Sequence, residues 1–205
     1  MRKLLASIED LKKTSIKEVI ITRTRSFKNI RTEKAIFKEL CFCLLTANYS
    51  AEGGIRIQKE IGDGFITLPE AKLSARLRSL GYRFPNVRAK FIVEARKHKD
   101  TLKRTLQSLN ETEAREWLVK NIKGLGFKEA SHFLRNIGSE NLAIIDFHIV
   151  DLLEKHKLIE KPKTITKNKY LEIEDVLKKI ATKTNLNLAE LDLYLWFKET
   201  GKVLK

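Results

Sequence analysis

The stretch that decides the fold is Asn121-Ile122-Lys123-Gly124-Leu125-Gly126-Phe127-Lys128-Glu129-Ala130-Ser131-His132-Phe133-Leu134. One amphipathic helix ends at a Gly-X-Gly turn and a second begins directly after it, a helix-hairpin-helix pattern. The two glycines permit a tight turn, and amides at the second helix's N-terminus can hold a phosphate. Gly124, Leu125 and Gly126 are therefore candidates for sequence-independent binding of the DNA backbone. The alternative is an ordinary corner whose glycines serve only as cap and turn.

Helical periodicity dominates the rest of the chain, and the sequence predicts an all-α fold of about ten helices with short turns. Apolar residues share one face in two early stretches: Leu4, Leu5, Ile8 and Leu11, then Ile36, Phe37, Leu40, Leu44 and Leu45. Pro69 opens and Gly81 closes a predicted helix at about 69–80, and Asn86 is the predicted cap of another at about 86–98. Capping boxes are predicted at Asn110 with Glu113 and at Asn187 with Glu190.

Composition bounds the size and the partners of the protein. A chain of 205 residues with 42% hydrophobic residues suffices for one substantial core or two small lobes. Its 41 Lys and Arg against 26 Asp and Glu give a formal net charge of +15. Such an excess favours a polyanionic partner, although a solvated Lys-rich surface of the thermophile kind has the same composition. The basic residues are spread over the whole chain, which argues against a disordered basic tail.

Other features exclude several classes. Two cysteines, Cys41 and Cys43, cannot form a four-thiolate zinc or iron–sulfur site, and their apolar surroundings predict buried reduced thiols. No cofactor and no metal are expected. There is no signal-peptide core after the basic N-terminus and no apolar run of the ~20 residues that span a bilayer, so no membrane partner is expected. The expected location is cytoplasmic, in association with the nucleoid.

A second informative stretch lies shortly after the hairpin. Ala143-Ile144-Ile145-Asp146-Phe147-His148 follows it, with Asp146 18 residues after Lys128. Together the two stretches resemble the signature of the helix-hairpin-helix DNA glycosylases with an invariant aspartate. Three further segments resemble the archaeal type of 8-oxoguanine DNA glycosylase/lyase: Cys41-Phe42-Cys43-Leu44-Leu45-Thr46-Ala47-Asn48, Ala51-Glu52-Gly53-Gly54-Ile55-Arg56-Ile57-Gln58, and Thr200-Gly201-Lys202-Val203-Leu204-Lys205.

This resemblance implies two helical lobes with the active site in the cleft between them. On this chain the lobes would be 30–140, containing the hairpin, and 1–29 with 141–205. The implied partner is damaged double-stranded DNA, bound by a monomer. Lys128 matches the family's catalytic lysine and Asp146 its essential carboxylate.

The implied roles agree with the chemistry of the two side chains. A lysine attacks the sugar C1′ only as a neutral amine, and its adduct opens to a Schiff base that permits β-elimination. Asp146 would stabilise the positive charge that develops on the sugar and help to handle the proton of Lys128. Taken separately, Lys128 could be a solvated helix lysine and Asp146 a helix N-cap.

The resemblance implies further contacts to DNA. Asn48 and Tyr49 match the region that fills the gap left by an extruded nucleotide, and Tyr82 and Phe84 lie in the loop that wedges the opposite strand. His148 matches a position near a DNA phosphate. Ser131, His132, Trp196 (in preference to Phe197) and Lys205 are candidates for the base pocket, with Lys205 offering an acceptor to the N7–H of the oxidised base. Each aromatic residue could equally be part of the core, and the tail could be frayed.

Two competing functions remain at this stage. The first is an oxidised-pyrimidine glycosylase/lyase of the same superfamily, which uses the same lysine and aspartate; the missing four-cysteine cluster argues mildly against it. The second is a non-enzymatic helix-hairpin-helix module that only grips the DNA backbone.

Overall fold

A computed structural model of the protein describes all 205 residues and contains thirteen α-helices, one 3₁₀ turn and no strand. The all-α class is therefore confirmed. The first seven helices are α1 (Arg2–Lys12), α2 (Ile16–Lys28), α3 (Glu33–Thr46), α4 (Ala51–Ile61), α5 (Gly64–Thr67), α6 (Glu70–Ser79) and α7 (Pro85–Ala95). After a 3₁₀ turn at Arg96–His98 come α8 (Leu102–Gln107), α9 (Glu111–Asn121), α10 (Phe127–Asn136), α11 (Phe147–Lys155), α12 (Lys167–Thr184) and α13 (Leu188–Thr200).

The chain folds into two compact units. The inner unit comprises Ile30–Ile137, and the terminal unit comprises Met1–Asn29 with Gly138–Lys205. The second boundary lies three residues before the expected position because Glu140 is bound to the terminal unit. The Glu140 carbonyl accepts hydrogen bonds from the amides of Leu188 (2.9 Å) and Ala189 (3.2 Å), and its carboxylate pairs with Lys28 at 2.6 Å.

The inner unit is organised around α3. From Ile36 to Thr46 nearly every side chain of this helix is buried, and α3 contacts α4, α5, α7, α8 and α10. A helical stretch that is apolar on all sides belongs in the interior of a bundle, and the run from Leu40 to Leu45 in α3 fulfils that condition. Cys41 and Cys43 lie on it, buried and not joined in a disulfide, as predicted, and burial raises the pKa of the Cys41 thiol.

The terminal unit is organised around α13, which contacts α1, α2, α11 and α12. Its start is fixed by the predicted capping box, in which Asn187 and Glu190 exchange side-chain and backbone hydrogen bonds of 2.8 and 3.1 Å. The box at Asn110 and Glu113 is formed equally at the start of α9, with two bonds of 3.0 Å.

One predicted helix start is wrong. Asn86 does not cap α7, because Pro85 occupies the first helical position and Phe84 precedes it as the N-cap. Proline suits that position since it needs no amide donor there. The Asn86 side-chain oxygen instead accepts hydrogen bonds from Ser74 (2.5 Å) and Arg78 (2.9 Å) and thereby ties α7 to α6. None of the thirteen helices combines the length and apolar character of a membrane span.

Candidate active site

The turn between α9 and α10 is the predicted hairpin. The Leu125 amide donates to the Ile122 carbonyl at 3.2 Å, and Gly124 adopts a φ of +89°. A Cβ atom on Gly124 would lie 2.3 Å from the ring of Phe91, so this position excludes a side chain both by its backbone conformation and by contact. The turn is thus packed directly on α7.

Gly126 is the N-cap of α10 and has extended backbone with no side-chain cap. The first amides of an α-helix have no carbonyl partner within the helix, and they carry the positive end of its dipole. Gly126 itself has no side chain to occupy these amides, and the start of α10 has the form of a phosphate-binding helix N-terminus, with the Glu129 carboxylate as the acidic group of its first turn. Lys123, exposed just before Gly124, adds a positive charge to the same turn.

Lys128 is the second residue of α10 and is half-buried. Its neighbours in the helix are held from α9 by Arg115, which is fully buried. The Arg115 guanidinium lies 5.1 Å from the ring centroid of Phe127, and its Nη1 donates to Ser131 Oγ at 3.3 Å. The first turn of α10 is therefore fixed to α9, and the backbone that carries Lys128 is rigid.

Two base-pocket candidates lie on the same helix but are buried inside the inner unit. Ser131 is 0% exposed and accepts the hydrogen bond from Arg115. His132 is 6% exposed, with its ring edge-on to Phe42 at a centroid distance of 5.7 Å. The structure gives both side chains packing partners, so contact between either residue and a base remains only a prediction.

Asp146 lies in the terminal unit as the N-cap of α11. Its Oδ1 accepts a hydrogen bond of 3.0 Å from the Ile149 amide, so the alternative interpretation as a cap is correct for its local structure. The side chain is half-buried and its second carboxylate oxygen is not used by that cap. A capping bond holds the carboxylate in one orientation without occupying both oxygens, which leaves the residue able to act on a substrate as well.

Three aromatic rings meet at the start of α11. His148 packs against Phe147 with ring centroids 4.0 Å apart and meets Trp196 of α13 edge-on at 5.4 Å. Phe147 is 66% exposed, the most exposed of the large hydrophobic side chains. The sequence predicts roles for His148 and Trp196 only, and the structure adds Phe147, directly after Asp146, as a third ring beside them. We call Phe147, His148 and Trp196 the aromatic cluster.

The predicted gap-filling and wedge residues differ sharply in exposure. Asn48 is exposed in a left-handed backbone conformation (φ +60°), and Phe84 is 36% exposed beneath the Arg83 guanidinium at 5.0 Å. Tyr82 is 3% exposed, its hydroxyl donates to the Leu45 carbonyl at 2.8 Å, and burial raises its pKa. The Tyr82 ring packs against the ring of Tyr49 with centroids 4.7 Å apart, so of the two predicted wedge residues only Phe84 exposes its aromatic side chain.

The C-terminal segment follows α13 and begins at its C-cap Gly201, which has a left-handed conformation. Val203, Leu204 and Lys205 are half-buried rather than exposed. The segment thus packs on the protein, contrary to the frayed-tail alternative.

The candidate residues are distributed over both units. The inner unit carries the hairpin and Lys128, with the gap-filling and wedge residues. The terminal unit carries Asp146, the aromatic cluster and Lys205.

The family model described as 8-oxoguanine DNA glycosylase matches residues 20–186. This chain belongs to that family. Among curated members, the 8-oxoguanine DNA glycosylase/AP lyase of Korarchaeum cryptofilum is 54% identical over 98% of this chain and 98% of its own length. The Methanocaldococcus jannaschii member is also 54% identical, over 98% of this chain and 99% of its own.

Solved structures of the 8-oxoguanine DNA glycosylase family share the fold. The M. jannaschii glycosylase/lyase in complex with a 15mer DNA containing 8-oxoguanine matches with a TM-score of 0.97 at 54% identity, covering 99% of this chain and 100% of that one. The Thermotoga maritima 8-oxoguanine DNA glycosylase matches with a TM-score of 0.94 at 47% identity, covering 100% of this chain and 99% of that one.

Proposed function

We propose that this protein is a DNA N-glycosylase with AP lyase activity that excises 8-oxoguanine from duplex DNA during base excision repair. The observation that carries the proposal is likeness over the full length: relatives named 8-oxoguanine DNA glycosylase/AP lyase are 54% identical over 98% of the chain, and one solved relative holds DNA containing 8-oxoguanine. The net charge of +15 suits a polyanionic substrate. We further propose that the enzyme acts as a monomer associated with the nucleoid.

Lys128 is the proposed nucleophile. Its neutral amine attacks C1′ of the damaged nucleotide, the C1′–N9 bond breaks and the base leaves with a proton. The sugar ring then opens to a Schiff base between Lys128 and C1′. This iminium acidifies the C2′ proton, whose loss expels the 3′ phosphate by β-elimination, and water finally releases the lysine. The rigid first turn of α10, anchored through Arg115, gives the amine a defined line of attack.

Asp146 is the proposed electrostatic partner of that reaction. Bond cleavage at C1′ develops positive charge on the sugar, and a carboxylate held ready by the Ile149 amide stabilises that charge without reorganising. The carboxylate also provides a place for the proton that Lys128 must lose.

The remaining candidate residues are proposed to bind and open the duplex. The uncapped start of α10, with Gly124, Leu125 and Gly126, binds backbone phosphate, and His148 lies at a second phosphate. Flipping a nucleotide leaves a gap that side chains must fill, for which Asn48, Tyr49 and the exposed ring of Phe84 are suited. Trp196 and Lys205 are the proposed contacts to the extruded base.

A panel of duplexes tests the function. Single-turnover cleavage is measured on one sequence containing 8-oxoguanine, thymine glycol or undamaged guanine, with borohydride added in parallel to trap a Schiff base. We expect rapid cleavage and trapping with 8-oxoguanine alone. Preference for thymine glycol would support the oxidised-pyrimidine class instead, and binding without cleavage or trapping would support a DNA-binding module.

A further inference from the structure

The segment that leads to Asp146 is buried without being helix or strand. Leu142, Ala143, Ile144 and Ile145 have irregular backbone and are between 1% and 7% exposed. Irregular segments normally run over the surface, where water can bond to their backbone. Buried amide and carbonyl groups need hydrogen-bond partners, and helices and sheets supply these for each residue in turn. The buried backbone before Asp146 must therefore be satisfied by side chains.

Two side chains of α12 meet this need. The Tyr170 hydroxyl donates to the Ala143 carbonyl at 2.7 Å and accepts from the Ile145 amide at 3.2 Å. One turn later, Glu174 Oε2 accepts from the Ala143 amide at 3.0 Å. Tyr170 is 3% exposed and Glu174 2%, so neither contact competes with bulk water. Residues four apart share one face of a helix, which is why one stretch of α12 provides both.

The position of Asp146 is thus fixed from both directions along the chain. After it, the Asp146 carbonyl accepts from the Val150 amide at 3.0 Å, and its Oδ1 accepts from the Ile149 amide at 3.0 Å. Before it, the adjacent residue Ile145 is tied to Tyr170. A single oxygen atom of Tyr170 holds two backbone groups, so its removal releases both at once.

We propose that Tyr170, supported by Glu174, is a positioning residue that sets the location of the Asp146 carboxylate for base excision. The inference rests on the proposed role of Asp146. Neither α12 side chain touches the substrate; they act through the backbone of the segment 142–145. A displacement of the order of 1 Å in a reacting group lowers a rate by about 100-fold, so loss of this support should be visible in the chemical step.

The test compares Tyr170→Phe with Tyr194→Phe. Tyr194 is a matched control: it lies in the same unit on α13 and is also 3% exposed. Single-turnover excision of 8-oxoguanine is measured with saturating enzyme, together with the Kd for the damaged duplex and the Tm. We expect Tyr170→Phe to slow excision by about tenfold or more with an unchanged Kd. Tyr194→Phe should leave the rate within about twofold, because the side-chain hydrogen bonds to the backbone before Asp146 come from Tyr170 and Glu174 and not from Tyr194. Equal rates in the two variants would overturn the proposal.

A double-mutant cycle separates positioning from general damage. If Tyr170 acts through Asp146, Tyr170→Phe should cause no further loss of rate in an Asp146→Asn background. Additive losses would show that Tyr170 acts by another route and would overturn the proposal. A normal rate for Asp146→Asn alone would overturn the role of Asp146 itself, and the positioning role with it. If only the positioning role is wrong, Asp146→Asn will still excise 8-oxoguanine slowly, but the excision rate of Tyr170→Phe will equal that of Tyr194→Phe.

Glu174 provides a second route should Tyr170→Phe fail to fold. Glu174→Gln keeps an oxygen that accepts from the Ala143 amide, whereas Glu174→Leu keeps none. We expect the leucine variant to lose excision rate and the glutamine variant to retain most of it. Equal rates in the two variants would overturn the proposal.

Discussion

The imidazole of His148 meets the indole of Trp196 edge-on, with ring centroids 5.4 Å apart and an interplanar angle of 84°. The contact joins α11, which begins at Asp146, to α13, which leads into the C-terminal segment. Edge-to-face packing fixes the orientation of both rings, so the indole presents a defined face for stacking. The aromatic cluster therefore links the start of α11, which carries the proposed catalytic residue Asp146, to α13, which carries the proposed stacking residue Trp196.

We expect Trp196→Ala to lower the rate of 8-oxoguanine excision by about tenfold, since stacking of a base on an aromatic ring contributes about 1–3 kcal/mol. Cleavage of a preformed abasic site should fall much less, because that substrate has no base to stack. Phe197→Ala is the matched control and should affect neither rate strongly. The measurement is single-turnover cleavage of both substrates; an equal loss on the two would argue for damage to the fold.

The C-terminal segment offers a parallel test of base recognition. Deleting Val203, Leu204 and Lys205 should reduce excision of 8-oxoguanine more than cleavage at a preformed abasic site, because only the first reaction needs the base to be read. The segment is half-buried, so the Tm of the deletion variant must be compared with that of the full chain. Unchanged excision would show that the segment has no part in recognition.

Gly124 should tolerate no side chain. Gly124→Ala introduces strain at a φ of +89° and places a Cβ 2.3 Å from the Phe91 ring. Gly81→Ala is the control, since Gly81 has a φ of +77° with nothing within 4 Å of its Cβ position. We expect Gly81→Ala to cost about 1 kcal/mol of unfolding free energy from backbone strain, and Gly124→Ala about 1–3 kcal/mol more from overpacking. Urea denaturation measures both, and equal losses would remove the steric argument.

The sequence predicts local features of this protein well and distant ones poorly. The hairpin and both capping boxes have short-range signatures, in glycine spacing and in Asn-x-x-Glu patterns, and all three are present in the structure. The support of the buried segment before Asp146 comes from Tyr170, 25 residues away from Ile145, and no local pattern marks it. Tyr82 shows the same limit, because its burial depends on the Leu45 carbonyl, 37 residues earlier.

The proposed contacts with DNA phosphates predict that the affinity for duplex DNA depends steeply on salt concentration. Binding constants for damaged and undamaged duplex should fall linearly on a logarithmic plot against salt concentration, with similar slopes, because phosphate neutralisation releases counterions. Lys123→Gln, beside the hairpin turn, should reduce the slope by about 1. Lys13→Gln should not, since Lys13 lies at the end of α1 in the terminal unit, which does not carry the hairpin. A salt-independent affinity would contradict phosphate binding altogether.

The most direct test of the proposed mechanism is borohydride trapping of Lys128→Gln on a duplex containing 8-oxoguanine. The substitution removes the amine and leaves the hairpin intact, and Lys120→Gln on the exposed face of α9 provides the same charge change as a control. We expect Lys120→Gln to form the covalent protein–DNA adduct at the normal level. Lys128→Gln should form none and cleave no strand, while its Kd for the damaged duplex stays within about threefold of the unmodified protein, because only one positive charge is removed. Trapping of Lys128→Gln at the level of the control would show that another group is the nucleophile and would contradict the proposed mechanism.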